Sequence, residues 1–437
     1  MGMRFSHGYN PKPHLNLIFN ADDFCEFYAE IVSFFLFLRF NGGYFMLTSL
    51  ALIFLLGMIL GEIFKKLRLP SLVGMIITGI ILGPYVLNLL DESILGISAD
   101  LRQLALVIIL MRAGLSLDID DLKKVGRPAI MMCFVPALFE IAGTAILAPK
   151  LLGITLTEAL IMGSVIAAVS PAVIVPRMIK IMEEGRGTKK SIPQLILAGA
   201  SADDVFVIVL FTSFTSLAQQ GAFSPSVFLQ VPVSIVCGAL LGVVIGLLMS
   251  RFFKKVHMRD SLKILILLSF SFLFIQAENS LKGIFPFSGL IAVMAMGLAI
   301  YRDYNVLAKR LSDKYNKLWV AAEILLFVLV GACADPSYAL KYGVSAVLVV
   351  LGALLFRMAG VFVCMLGTKL NGKEKLFCMI SYIPKATVQA AIGAVPLSMG
   401  LSCGMAVLTV AVLSIFITAP LGAFLIDIFY KKLLSEE

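Results

Sequence analysis

Five charged residues sit deep inside apolar stretches of this sequence: Glu140, Asp203, Asp204, Arg357 and Lys385. Counted at about 1.5 Å per residue from the nearest predicted span end, each falls near the middle of a bilayer. A charge there costs at least about 2.5–3.5 kcal/mol, so such residues act on a substrate or neutralise one another. Asp203 and Asp204, in GASADDVFVIVLF, are the most informative. Neighbours on a helix point about 100° apart, so two adjacent carboxylates cannot both face one partner. One can line a cavity while the other pairs with a cation or with the backbone of a broken helix. Alternatively, both pair with Arg357 and Lys385. Two carboxylates confined together repel, which lets one of them exchange a proton near neutral pH. Such a group carries a proton or a metal cation, in competition.

Composition dictates the elements that hold these residues. Of the 437 residues, 60% are hydrophobic and 14% charged, with a mean hydropathy of +0.98. A soluble domain averages about 45–50% apolar and about 25% charged. The excess dissolves in lipid, which excludes a water-soluble globule, a disordered chain and a coiled coil. Thirteen stretches reach the length of a spanning helix: 46–64, 71–90, 98–117, 127–149, 156–180, 192–218, 227–250, 260–278, 285–301, 317–334, 341–368, 376–398 and 404–430. The expected fold is an all-α polytopic membrane protein of about 13 transmembrane helices.

Loop charge alternates. Clusters such as Lys65, Lys66 and Arg68, or Arg177, Lys180, Arg186, Lys189 and Lys190, follow every second span, and the intervening loops are poor in Lys and Arg. By the positive-inside rule the basic loops and the carboxyl terminus are cytoplasmic. The net charge of +9 is thus an orientation signal, with anionic lipid contact a secondary consequence and no nucleic-acid partner implied. Residues 1–45 form an amino-terminal extension whose polar, Pro-containing start does not read as a cleavable signal peptide. Its apolar run from Phe27 to Phe40 carries Glu30 and Arg39. It reads as an interfacial helix, a fourteenth span, or sequence upstream of a start at Met46.

Cysteines and histidines carry little. The seven Cys are scattered without CxxC spacing, and His7, His14 and His257 all lie outside the spans. No disulfide framework, resident metal or cofactor is expected, and no enzymatic centre.

The chain repeats itself. Gly114 and Asp118 close the third span as Gly331 and Asp335 close the tenth, and Glu140 and Arg357 each follow 22 residues after that Asp. The next span in each half is interrupted, by AAVSPAVIVP around Pro171 and by YIPKATVQAAIGAVP around Pro384 and Thr387. Two six-span copies, 46–219 and 260–430, therefore flank a linker helix at 220–259, with a tail at 431–437. The odd span between them makes the repeats inverted. Inverted repeats with interrupted helices point to a transporter whose site lies between the breaks. Glu140 and Arg357, at equivalent positions with opposite charge, are expected to form a mainly structural buried salt bridge. Lys385, after Pro384, either neutralises half-helix carbonyl ends or pairs with Asp203. Glu62, Glu278, Glu323 and Arg112 fall nearer span ends, where long side chains reach the interface.

These residues resemble the monovalent cation:proton antiporters, particularly the NHA-type sodium/proton exchangers. The matching stretches are residues 169–206 around VSPAVIVP and ASADDVF, LLFRMAG (354–360) and IPKATVQAAIGAVPL (383–397), with GIILGP (79–84) and ITAPLG (417–422). The resemblance implies crossed discontinuous helices and a homodimer. Spans four to six and eleven to thirteen would form a moving core, and the first three spans of each repeat the dimerisation side. It implies Na⁺ or Li⁺ and H⁺ as substrates in a plasma membrane (the inner membrane of a bacterium). It makes Asp204 the shared cation and proton carrier, Asp203 its auxiliary, and Ser170 a weaker ligand. Electrogenic bacterial relatives resemble this chain but carry Lys at the Arg357 position. Arginine is effectively never deprotonated, so Arg357 favours electroneutral exchange, while Lys385 keeps a second titrating group in play. A K⁺/H⁺ antiporter or K⁺ efflux system is the runner-up. An intramembrane aspartyl protease needs its two Asp on separate helices, which an adjacent pair does not offer.

Overall fold

The computed structural model describes residues 46–116, 126–220, 225–281, 285 and 287–436. The expectations for residues 1–45 and for Asp118 lie outside the described residues. The first half forms α1 (Met46–Lys66), α2 (Ser71–Leu82), α3 (Glu92–Gly96), α4 (Ser98–Ser116), α5 (Arg127–Met132), α6 (Val135–Leu152), α7 (Leu156–Ile166), α8 (Pro171–Glu183) and α9 (Ile192–Gln220). After α10 (Pro225–Lys255) come α11 (Asp260–Ser280), α12 (Gly289–Asp303), α13 (Asn305–Cys333) and α14 (Pro336–Cys364). The chain closes with α15 (Gly372–Ser381), α16 (Thr387–Ile392), α17 (Val395–Ser398) and α18 (Gly404–Leu433). Each of the thirteen apolar stretches falls on one of these helices or on an interrupted pair. Among the described residues, eight helical stretches are long and apolar enough to cross a membrane, accompanied by shorter apolar helices such as Ser71–Leu82 and Thr387–Ser398.

The interruptions follow from local chemistry. Proline lacks an N–H and its ring meets the carbonyl four residues back, so Pro171 cannot continue α7 and instead opens α8. Ser170 before it is extended, at φ −91° and ψ 108°, as a residue preceding proline must be. In the second half α15 stops at Ser381, and the chain runs through Pro384 before α16 starts at Thr387. Both interrupted helices are launched alike. Thr155 and Glu158 form a capping box on α7, and Asn371 and Glu374 form one on α15.

Helix packing gathers these elements into two groups. α6 lies along α14, and α7, α9, α15 and α18 pack around them. On the other side α13 packs against α2 and α4, while α12 packs against α4 and α10. α16 reaches across to touch both α4 and α13. Close backbone approach, the main source of cohesion where lipid supplies no hydrophobic drive, needs glycine at one crossing in particular. A Cβ on Gly79 of α2 would meet the Val328 carbonyl of α13, and one on Gly331 would meet the Ile76 carbonyl in return.

Candidate functional site

Breaking α7 leaves its last carbonyls without intrahelical donors, and those groups are expensive to bury bare. Three side chains supply the donors. Lys385 Nζ donates to the Ile166 carbonyl, Arg357 Nη1 to Ala167, and Gln389 Nε2 to Ala168 at 2.8 Å. Arg357 Nε also donates to the Tyr382 carbonyl at 3.0 Å, at the end of α15. One guanidinium therefore caps the carboxyl ends of both half-helices, where the helix dipoles favour a cation. The two interrupted chains touch directly, the Ser170 amide donating to the Pro384 carbonyl at 2.8 Å. Thr418 of α18 steadies the second break, its hydroxyl accepting from the Lys385 amide at 3.0 Å.

The carboxylates complete the network. Arg357 Nη1 lies 3.0 Å from Glu140 Oε2, and Nη2 lies 2.7 Å from Asp203 Oδ2. Asp203 Oδ2 also accepts the Val169 amide at 2.9 Å, in the unwound stretch after α7. Lys385 Nζ sits 2.6 Å from Glu140 Oε1. Glu140, Asp203, Arg357 and Lys385 are each 0% exposed, so every one of these bonds forms away from water. Removing one partner of such a buried assembly costs about 3–5 kcal/mol, because the others keep uncompensated charge.

Asp204 stands apart. It pairs with neither Arg357 nor Lys385, and its Oδ1 is buried without a hydrogen-bond partner. Asp203 Oδ1, Ser170 Oγ and Thr387 Oγ1 are likewise buried and unpartnered. Carboxylate and hydroxyl oxygens are the kind of donor that hard cations take. The geometry thus brings Glu140, Asp203, Arg357 and Lys385 into one chain of ion pairs, joins Ser170 to Pro384, and leaves Asp204 outside that chain.

Of the two roles expected for Lys385, the structure places its ammonium on the α7 carbonyl end and not on Asp203, which Arg357 already occupies, and adds Glu140 as its ion-pair partner. The expected Glu140–Arg357 pair is part of a four-member network that also includes Asp203 and Lys385. Arg112 and Glu323 are both half-buried on the packed helices α4 and α13. Glu278 accepts the Gly289 amide at 2.8 Å, tying α11 to the start of α12. Gln389 and Thr418 were missed. A glutamine beside a helix break in an otherwise apolar run was the available signal for the first, and nothing local marked the second.

The model of the transmembrane sodium/hydrogen exchanger family matches residues 50–432. The chain is 33% identical over 381 residues to sodium/hydrogen exchanger 9B2 of Homo sapiens, covering 84% of this chain and 70% of that protein. It is 30% identical over 413 residues to the human sodium/hydrogen exchanger 9B1, covering 89% and 78%. Its fold resembles that of the sodium proton antiporter MjNhaP1 from Methanocaldococcus jannaschii at pH 8. That likeness has a TM-score of 0.78 at 20% identity, over 89% of this chain and 98% of the other. A chain of apolar helices, matched over most of its length and carrying buried carboxylates at a helix crossing, belongs to the sodium/hydrogen exchanger family, as a multi-pass membrane protein of cation/proton exchange.

Proposed function

We propose that this protein exchanges Na⁺ or Li⁺ for H⁺ by alternating access, with Asp204 as the carboxylate that binds either ion in turn. The observation that carries this reading is that Asp204 has a buried, unpartnered Oδ1 and no ion pair with Arg357 or Lys385, whereas Asp203 Oδ2 is held by Arg357. Glu140, Asp203 and Asp204 bring three negative charges, and Arg357 and Lys385 two positive ones. One negative charge is left over, and it resides on Asp204. A single proton or a single monovalent cation neutralises it, so exchange is one for one and electroneutral. Asp203 Oδ1, Ser170 Oγ and Thr387 Oγ1 supply further oxygens to the desolvated cation, while Arg357 and Lys385 hold the half-helix ends in place of bulk counter-ions.

In this reading the group of α5–α9 and α14–α18 forms the moving core, and the group of α1, α2, α4 and α11–α13 forms the face through which two copies pair. The protein sits in a plasma membrane with its carboxyl terminus in the cytoplasm. The names of the 9B2 and 9B1 relatives support Na⁺ as the cation. The test is exchange in proteoliposomes with Na⁺, Li⁺ or K⁺ gradients, with and without a clamped potential. Na⁺- or Li⁺-driven proton movement that ignores the potential and disappears in Asp204→Asn is expected. Exchange with K⁺ alone, or full activity in Asp204→Asn, overturns the proposal.

A further inference from the structure

The two capping boxes differ at one equivalent position. On α15, Glu374 holds the ammonium of Lys190 at 2.9 Å from each of its oxygens, and its own side chain is only 3% exposed. Lys190 lies two residues before α9 begins. The residue two before α18, the repeat partner of α9, is Ser402, and its hydroxyl donates to Glu158 Oε1 at 2.6 Å. Glu158 also accepts the Thr155 amide and hydroxyl, at 2.8 and 2.9 Å. No cationic side chain among the described residues pairs with it. Where one end of the repeat has an ammonium, the other has a hydroxyl and open space.

That space is a cavity of about 190 Å³ beside Glu158 and Ser402. One wall carries the rings of Tyr338 and Tyr342, with centroids 4.9 Å apart and planes inclined at 34°. Ala346 of α14 and Ala406 and Val410 of α18 also line the cavity, together with Thr409. A carboxylate attracts a cation, tyrosine rings beside it add cation–π attraction, and apolar lining residues accept a hydrocarbon body. We infer that this cavity binds a small organic ammonium, a primary amine bearing an apolar group, in the place that Lys190 fills at the other end. The helices meeting here, α6, α7, α14 and α18, also carry Glu140, the Ile166 carbonyl, Arg357 and Thr418. Glu158 stands about 12 Å along α7 from Ile166, so a bound amine braces the helix crossing from one end.

Phenethylammonium is the probe, measured by calorimetric titration and thermal unfolding of the purified full chain, with phenethyl alcohol as the uncharged isostere. Saturable binding of the amine, much tighter than that of the alcohol, is expected. Glu158→Gln keeps the capping box, which glutamine also completes, but removes the charge and weakens binding at least about tenfold. Ser402→Lys supplies a tethered ammonium, abolishes amine binding and raises the melting temperature. Asp204→Asn leaves amine binding unchanged, which separates this cavity from the exchange site whether or not the exchange reading holds. Binding that is absent, equal for amine and alcohol, indifferent to Glu158→Gln, intact in Ser402→Lys, or lost in Asp204→Asn overturns the inference.

Discussion

Replacing Arg357 by lysine tests how the crossing is held. The guanidinium serves four acceptors: the Tyr382 and Ala167 carbonyls, Glu140 Oε2 and Asp203 Oδ2. It does so from three nitrogens in a fixed fork, whereas lysine offers three N–H groups on one nitrogen. At the same position lysine loses one to two of these bonds. At about 1.5–3 kcal/mol for each bond to a charged group, the loss sums to about 2–6 kcal/mol. For a unit the size of one repeat, about 2–4 °C of melting temperature follow each kcal/mol, so Arg357→Lys should melt at least about 4 °C lower. Lysine also gives up its proton where arginine does not. Exchange by the variant should therefore gain a dependence on imposed potential that the parent lacks, measured as proton flux in proteoliposomes clamped at two potentials. A variant melting within about 1 °C of the parent would refute the four-acceptor account, since that shift is less than one bond is worth. Potential-driven exchange by the parent would refute the charge count.

Three further outcomes follow from other parts of the molecule. Gln389→Leu strips the Ala168 carbonyl of its donor at 2.8 Å; a loss of about 1–3 kcal/mol in thermal unfolding is expected, together with slower exchange. Gly79→Ala drives a methyl into the Val328 carbonyl across the α2–α13 crossing, and should cost about 1–3 kcal/mol or more by the same unfolding assay. Asp303, outside the spans, is held below its ordinary value of 3.8 by hydrogen bonds from Lys254 and Ser250. A carboxyl lowered by folding stabilises the protein above pH 3.8 and loses that contribution as pH falls through the folded value. The parent should thus lose stability in that acid range, and Asp303→Asn should lose less, as read from melting temperature against pH.

The sequence by itself determined the lipid environment, the helical class and the places where helices break. Those features depend on composition and on proline chemistry, both of which act within a few residues. It also determined which charges would be buried, because an acid or a lysine inside an apolar stretch stands out wherever it is met. Asp203, Asp204, Glu140, Arg357 and Lys385 were all legible for that reason. Their partners were not. Glu140 and Arg357 are separated by 217 positions and Glu140 and Lys385 by 245, so only the packing of α6 against α14 and the crossing of the two breaks decide who meets whom. That packing assigns Arg357 to both Glu140 and Asp203 and turns Lys385 toward Glu140. It also recruits Gln389, a glutamine beside a helix break, and Thr418, which nothing local marks. What folding adds is a physical distinction between two adjacent aspartates of identical chemistry: Asp203 is paired with Arg357 and the Val169 amide through one oxygen, and Asp204 pairs with neither Arg357 nor Lys385.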